Sequence, residues 1–248
     1  MPYAAVLFDL FDTLVRFDRE RLPRLTVRGR SVHTSAGQLH AILAREAPDV
    51  SLEACYDALV TSWEEAERRR AIDHREVGAP ERFEHFFRCL AVDPAACAAG
   101  LAERLIEAHR AELAKAAEFP AHHGPLLEAL ARRYALAVVS NFDYTPTALG
   151  ILESAGVVGL FTAIVVSDAV GWRKPRREIF DAALGRLGVR AADALFVGDR
   201  ADIDVAGARA AGMDAAWINP GREPLPPAIA PPRFEIRDLG ELLAILNP

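Results

Sequence analysis

YAAVLF, residues 3–8, is an apolar run that stops at a charged residue, Asp9. A short run that is apolar on both faces is typical of a strand buried within a parallel sheet. Further runs of this kind follow, each separated from the next by a helical stretch, at 135–140, 161–167, 192–198 and 214–219. This alternation predicts βαβ units and therefore an α/β fold with a Rossmann-like, doubly wound parallel sheet.

The residues that directly follow the apolar runs are the first candidates for chemistry. In open α/β sheets, ligands bind beyond the carboxyl ends of the strands. The polar residues at those ends are Asp9, Ser140, Ser167 and Asp199. We therefore expect a functional site where these side chains meet.

A long insertion separates the first run from the second. At about 100 residues it exceeds any ordinary connection within one compact layer, so it must have structure of its own. Apolar positions three and four apart predict helices within 33–46, 51–70, 79–92 and 93–117. We therefore predict an α/β core domain, residues 1–15 and 119–248, and an inserted all-helical domain, residues 16–118. A strand near Phe234 and a helix at 239–247 complete the predicted core.

Composition and charge narrow the class of partner. The formal net charge of −6 disfavours nonspecific binding to nucleic acid, because that binding needs clustered lysine and arginine. The sequence has neither an apolar run of about 20 residues nor the basic start of a signal peptide, so we expect a cytoplasmic protein without a membrane partner. A monomer and a homodimer both stay open.

The adjacent histidines His122 and His123 suggest a metal site. No further histidine or cysteine stands at ligand spacing from them. The sequence therefore favours an interpretation without a metal at this position.

Four motifs, taken together and in order, carry a family resemblance. They are FDLFDTLV (8–15), VVSNFD (138–143), VGWRKPRREIF (170–180) and VGDRADIDVAGARAAG (197–212). This set resembles the motifs of the haloacid dehalogenase superfamily of hydrolases, and the match extends from Tyr3 to about Asn219. The helical insertion after the first motif resembles the C1-type cap of that superfamily, which closes over the nucleophile and selects the substrate.

The resemblance implies a magnesium-dependent phosphatase of a small phosphorylated metabolite. Asp9 would be the nucleophile that forms an aspartyl-phosphate intermediate. Mg²⁺ would be held by Asp9, Asp199 and the backbone carbonyl of Phe11, and Asp204 would support that site from behind. Lys174 would neutralise Asp9 and the transferring phosphoryl group.

Two further residues are implied to bind the substrate phosphate. Ser140 stands where the family uses a hydroxyl and backbone amides to bind the phosphate, and Asn141 follows it with a side-chain amide. With Lys174, they form the predicted phosphate-binding set.

Phe11 departs from the pattern of most phosphatases in the superfamily. They have a second aspartate two residues after the nucleophile, which protonates the leaving oxygen and then activates water. Phenylalanine cannot move a proton, and loss of a general acid/base typically costs about 10² to 10⁴ in rate. Asp12, the next residue, either supplies the missing carboxyl or only caps the turn, and the sequence leaves both open.

Phe11 also keeps two other functions open. The 2-haloacid dehalogenases have an aromatic residue at this position, and their halide leaving group needs no proton. A catalytically weak binding protein with the same fold is the other alternative. The Gly-Asp pair of the fourth motif, Gly198 and Asp199, favours the phosphatase because the dehalogenases usually replace it.

Overall fold

The computed structural model of the protein describes residues 3–246. The predicted core domain also includes residues 1, 2, 247 and 248, and the predicted last helix ends at Asn247; these positions lie outside the described residues. The chain divides into two compact units. The α/β unit comprises the residues up to Phe17 and those from Glu118 onward, and the helical unit comprises Asp18–Ala117.

The strands and helices are numbered here in their order along the chain. They are β1 (Ala5–Phe8), β2 (Arg16–Phe17), β3 (Arg24–Val27), β4 (Arg30–His33), α1 (Ala36–Leu43), α2 (Leu52–Asp73), α3 (Ala79–Cys89), α4 (Leu101–Ala116), β5 (Ala117–Glu118), α5 (His123–Ala131), β6 (Ala135–Ser140), α6 (Thr145–Ser154), β7 (Ala163–Val166), α7 (Ser167–Val170), α8 (Arg177–Leu187), β8 (Ala194–Gly198), α9 (Ala206–Ala210), β9 (Asp214–Ile218), β10 (Phe234–Ile236) and α10 (Leu242–Leu246).

The α/β unit is built on one sheet, which has six strands among residues 3–246, in the order β10-β9-β8-β1-β6-β7. The five neighbouring pairs of this sheet are all parallel. This confirms the predicted doubly wound α/β fold. From β1 the chain moves to β6 on one side, and from β8 it moves to β9 on the other. The two directions of winding separate between β1 and β8, which is where ligands of such sheets bind.

The central strands are apolar because both of their faces are covered. Every residue of β1 is fully buried, and so are Leu195, Phe196 and Val197 of β8. On one face, Phe180 of α8 packs edge-on against Phe196, with ring centroids 5.2 Å apart. Parallel sheets require this double burial, which explains why their strands are continuous apolar runs in the sequence.

Gly207 allows α9 to approach the loop that precedes α8. A Cβ atom at this position would lie 2.7 Å from Cε2 of Phe180 and 2.9 Å from Cα of Pro175. Only glycine fits so close a contact. The contact places the segment after β8 against the loop that carries Lys174.

The helical unit contains α1 to α4, but it begins with a β-hairpin. Strands β3 and β4 pair antiparallel, with Arg24 opposite His33. Arg28 and Gly29 connect them with φ values of 47° and 74°, the conformation of a type I′ turn. The prediction of an all-helical insertion was therefore wrong for residues 24–33, because local strand alternation and a tight turn compete successfully with helix there.

The ends of the helical unit lie together. The backbone N–H of Asp18 donates to the carbonyl oxygen of Ala116, with a distance of 3.0 Å. The polypeptide therefore enters and leaves this unit at one place. Among residues 3–246, no helix combines the length and the apolar character needed to cross a bilayer.

Candidate active site

Asp9 lies at the carboxyl end of the central strand β1. Its backbone N–H donates to the carbonyl oxygen of Val197 in β8 at 2.9 Å. Phe8 is in register with Val197, so Asp9 lies beside the end of β8, where Asp199 follows Gly198. Both carboxylates therefore stand at the point where the two halves of the sheet wind apart.

Asp204 joins these two acids. Asp9, Asp199 and Asp204 each offer a carboxylate oxygen, and the three atoms lie within 4.8 Å of one another. Asp204 is only 1% exposed, and its Oδ2 accepts the backbone N–H of Arg200 at 3.0 Å. A Cβ atom on Gly198 would lie 2.5 Å from Cγ of Asp204, so the Gly-Asp pair needs glycine to admit this side chain.

Lys174 is the cation within this cluster. Its Nζ donates to Oδ1 of Asp9 at 2.6 Å and lies 2.8 Å from Oδ1 of Asp204. The side chain is 2% exposed. Burial by itself lowers the pKa of Lys174, but the carboxylates of Asp204 and Asp9 outweigh it, so the net shift is upward. Lys174 therefore carries its charge inside the protein.

One lysine does not balance three carboxylates. Burial raises the pKa of Asp9 to about 7; Lys174 opposes this shift, and the charges of Asp204 and Asp199 add to it. The pKa of Asp199 is raised to about 6, first by burial and then by the charges of Asp204 and Asp12. The excess of negative charge favours a bound cation, and oxygen ligands of this kind suit a hard one such as Mg²⁺.

The side chain of Asn141 holds the backbone of Lys174. Its Nδ2 donates to the carbonyl oxygen of Lys174 at 3.0 Å, and its Oδ1 accepts the N–H of Lys174 at 2.7 Å. One N–H of the amide and its oxygen are used in this way. Substrate binding by Asn141 stays a prediction, whereas the contacts show that it orients the lysine loop.

Ser140 ends β6 beside this loop and is fully buried. Within residues 3–246, its Oγ has no hydrogen-bond partner. The same holds among these residues for Oγ1 of Thr13, in the loop after Asp9. Buried hydroxyl groups are nearly always satisfied, so these two fit a ligand or water that supplies the missing partner.

The loop after β6 is fixed by Ser167, the residue that follows β7. The Oγ of Ser167 accepts the backbone N–H of Phe142 at 2.9 Å and donates to its carbonyl oxygen at 3.1 Å. Phe142 in turn packs on Phe11, with ring centroids 4.9 Å apart, and Phe11 also contacts Phe17 edge-on at 5.7 Å. The side chain of Phe11 is therefore part of an aromatic cluster.

Asp12 forms the turn that follows Phe11. Its φ of 58° lies in the left-handed region, and its Oδ1 accepts the backbone N–H of Phe17 at 3.0 Å. This is the contact expected for the capping alternative. A role for Asp12 as proton carrier stays a prediction, although its charge reaches Asp199.

Trp217 is a residue of the site that carries no motif in the sequence. It lies in β9, opposite Gly198 of β8, and its Nε1 donates to the backbone carbonyl of Asp199 at 2.8 Å. The indole thereby fixes the backbone of a predicted metal ligand. An apolar strand with one tryptophan gives no sign of this contact.

The fold and the site together define a class of protein. A parallel sheet carries an aspartate at the end of its central strand, and a buried lysine and two further acids surround that carboxylate. The family model described as haloacid dehalogenase-like hydrolase matches residues 3–212, and the chain belongs to this family. It is an enzyme of the hydrolase class.

Relatives of the chain include phosphatases and dehalogenases. It is 34% identical over 152 residues to the phosphoserine phosphatase of Thermus thermophilus, covering 61% of this chain and 60% of that protein. The chain spans between 45% and 60% of the length of the first curated relatives that it matches.

The similar solved structures match this chain along its whole length. The 2-haloacid dehalogenase from Pseudomonas syringae pv. Tomato DC3000 has a TM-score of 0.73 and 25% identity, with 100% of this chain and 99% of that one covered. HAD-hydrolase YfnB from Bacillus subtilis bound to magnesium has a TM-score of 0.62 and 23% identity, with both chains fully covered, and supports the fold alone. Family membership therefore does not by itself select the reaction.

Proposed function

We propose that the chain is a magnesium-dependent phosphatase that hydrolyses a small phosphorylated metabolite through an aspartyl-phosphate on Asp9. The observation that carries the proposal is the buried pair of Asp9 and Lys174 beside two further carboxylates. Hydrolysis of a phosphate ester needs a nucleophile whose negative charge is neutralised. Asp9 supplies the carboxylate, and Lys174 supplies part of the positive charge that neutralises it.

The residues fit a magnesium ion. Asp9 and Asp199 would hold it with their carboxylates, Phe11 with its backbone carbonyl, and Asp204 would support them. The donors are all oxygen atoms, which magnesium prefers. Burial and, after it, the neighbouring carboxylates raise the pKa values of Asp9 and Asp199, and a bound cation would favour the ionised form of both groups. The ion would lower the repulsion between the attacking carboxylate and the phosphate.

The protein's own groups account for the first chemical step. An oxygen of Asp9 forms a bond to phosphorus as the bond between phosphorus and the leaving oxygen breaks. Repulsion between unit charges at 4 Å is roughly 4 kcal/mol at an effective dielectric constant of 20, so Lys174, held on Asp9, lowers a substantial barrier. The buried Oγ of Ser140 donates to a phosphate oxygen, which supplies its missing partner. Water then cleaves the aspartyl-phosphate and releases phosphate.

Phe11 shapes the choice of leaving group. Position 11 offers no carboxyl to protonate the departing oxygen, because the residue is a phenylalanine, and its ring packs on Phe17 and Phe142. Leaving groups that are stable as anions need little protonation. We therefore expect acyl and aryl phosphates to react faster than sugar phosphates.

The direct test is phosphate release from acetyl phosphate and p-nitrophenyl phosphate. Activity should require Mg²⁺, disappear with EDTA, and disappear in Asp9→Asn and Asp199→Asn. Asp202→Asn is the matched control, since Asp202 lies three residues from Asp199 and pairs with Arg200 on the surface. No turnover of a broad phosphate panel in Mg²⁺ would contradict the proposal.

A second candidate, 2-haloacid dehalogenase, is favoured by Phe11 and by the likeness to the Pseudomonas syringae enzyme. A halide needs no proton when it leaves. Halide release from 2-chloropropionate without added metal would establish this alternative. The three clustered carboxylates weigh against it, because displacement at carbon needs no divalent cation to offset a phosphate charge.

Phe11→Asp separates a weak phosphatase from a scaffold without turnover. If the scaffold is intact, the new carboxyl should raise the rate on sugar phosphates, within the range of about 10² to 10⁴ typical of a general acid/base. Phe11→Leu is the control, since it changes the aromatic packing without adding a proton carrier. Equal rates in both variants would show that position 11 does not limit the reaction.

A further inference from the structure

A second group of metal-ligating side chains lies in the α/β unit. It shares no residue with the acid cluster, which consists of Asp9, Asp199 and Asp204. His122 and His123 stand at the start of α5, and Asp238 stands between β10 and α10. Each offers one ligand atom, and these atoms lie within 4.8 Å of one another. The two imidazole rings are 4.5 Å apart at their centroids, and Nε2 of His122 lies 3.4 Å from Oδ2 of Asp238.

One ring nitrogen of His123 contacts the backbone, as is common for metal-binding histidines. His123 is 5% exposed, and its Nδ1 lies 2.9 Å from the carbonyl oxygen of Leu14. A carbonyl oxygen only accepts, so Nδ1 carries the proton and Nε2 has the free lone pair. A hydrogen bond from one ring nitrogen to a backbone carbonyl is the common way of fixing the other nitrogen for a metal.

Asp238 is also fixed without an ion. Its Oδ1 accepts the backbone N–H of Gly240 at 2.7 Å, and Glu241 completes a capping box with it. This leaves Oδ2 directed to His122. Two of the three ligands are therefore held in place by contacts that a metal would not disturb.

We propose that His122, His123 and Asp238 form a second metal site, which takes a divalent transition metal of the zinc type. Two imidazoles and one carboxylate suit zinc, whereas magnesium prefers oxygen ligands alone. Three protein ligands leave a position for water. His123 contacts the backbone of Leu14, in the loop that follows Asp9. A bound metal would therefore also restrict the motion of this loop.

The test is a zinc titration of the full chain by calorimetry in excess Mg²⁺. We expect one zinc bound at this site, and binding at least about tenfold weaker in each ligand variant, since even partners of the ligands typically change metal affinity by 10 to 100-fold. His122→Ala removes an exposed ring. His123→Asn keeps a donor for Leu14 but has no Nε2, and Asp238→Asn keeps the cap. His85→Ala, on the surface of α3, is the matched control and should bind like the wild type.

Zinc bound at the acid cluster must be distinguished from zinc bound here. Asp9→Asn disables the proposed nucleophile and should leave this zinc site intact, so the two proposals fail separately. Absence of zinc binding in the wild type would overturn the inference. So would equal affinity in the control and the three ligand variants, or loss of all zinc binding in Asp9→Asn.

Discussion

Replacing Gly198 by alanine tests whether the acid cluster depends on a close approach to β8. The new Cβ would lie 2.5 Å from Cγ and 2.6 Å from Cβ of Asp204, distances that packed carbon atoms do not adopt. Either the strand shifts or Asp204 gives up its contacts with Arg200 and Lys174. Overpacking costs about 1–3 kcal/mol, and a hydrogen bond to a charged group contributes about 1.5–3 kcal/mol. Since the substitution incurs one or the other, we expect about 2 kcal/mol of destabilisation.

Gly185→Ala is the matched control for this substitution. Gly185 lies within α8, and a Cβ there would meet no atom within 4 Å. Alanine in a helix is favoured over glycine by roughly 0.5–1 kcal/mol, so the same chemical change should stabilise the protein. Urea unfolding in EDTA, followed by circular dichroism, measures both variants without a contribution from bound metal. A midpoint for Gly198→Ala equal to or above that of Gly185→Ala would refute the reasoning.

Further substitutions separate the roles of individual groups. Asn141→Ala removes two hydrogen bonds to the Lys174 backbone and should lower the free energy of unfolding by about 1–3 kcal/mol and reduce kcat; unchanged values of both would contradict the positioning role. Trp217→Phe keeps the ring but loses the bond to the Asp199 carbonyl, so the Mg²⁺ concentration for half-maximal activity should rise by about tenfold. Burial raises the pKa of Asp9 to about 7 against the pull of Lys174, so the ionised carboxylate destabilises the metal-free fold as pH rises through that value. Asp9→Asn should therefore have a higher Tm than the wild type at pH 8 in EDTA. This difference should shrink at acidic pH and change sign when Mg²⁺ is added. A lower Tm than the wild type at pH 8 in EDTA would contradict the prediction.

The strands of the core were predictable because burial on both faces leaves a direct trace in the sequence. Strand β6 spans Ala135–Ser140, the whole of its apolar run, and β1 ends where Asp9 begins. The hairpin at 24–33 was not predicted. Its strands are only four residues long and mostly exposed, and Val27 is the one buried residue in them, so the alternation in the sequence is too short to stand out. Its turn at Arg28 and Gly29 depends on backbone conformation more than on composition.

The site divides in the same way. The sequence motifs predicted that Asp9, Lys174 and Asp199 meet, and these side chains do lie together, while their catalytic and metal-binding roles stay predictions. Contacts between segments that are distant in the sequence could not be predicted. Trp217 contacts the backbone of Asp199 because β9 pairs with β8 in a particular register. Asp238 lies 116 residues from His122, and no spacing rule connects them.

The bond between Asp18 and Ala116 bears on how this enzyme diversifies. A segment whose ends coincide behaves as a cassette, because its exchange for another of different length leaves the flanking sheet connected at the same point. The residues of the site on the sheet can therefore stay unchanged while the sequence of the inserted unit changes. The resemblance to a C1-type cap implies that this unit selects the substrate, and selectivity and chemistry would then be encoded in separate stretches of the gene.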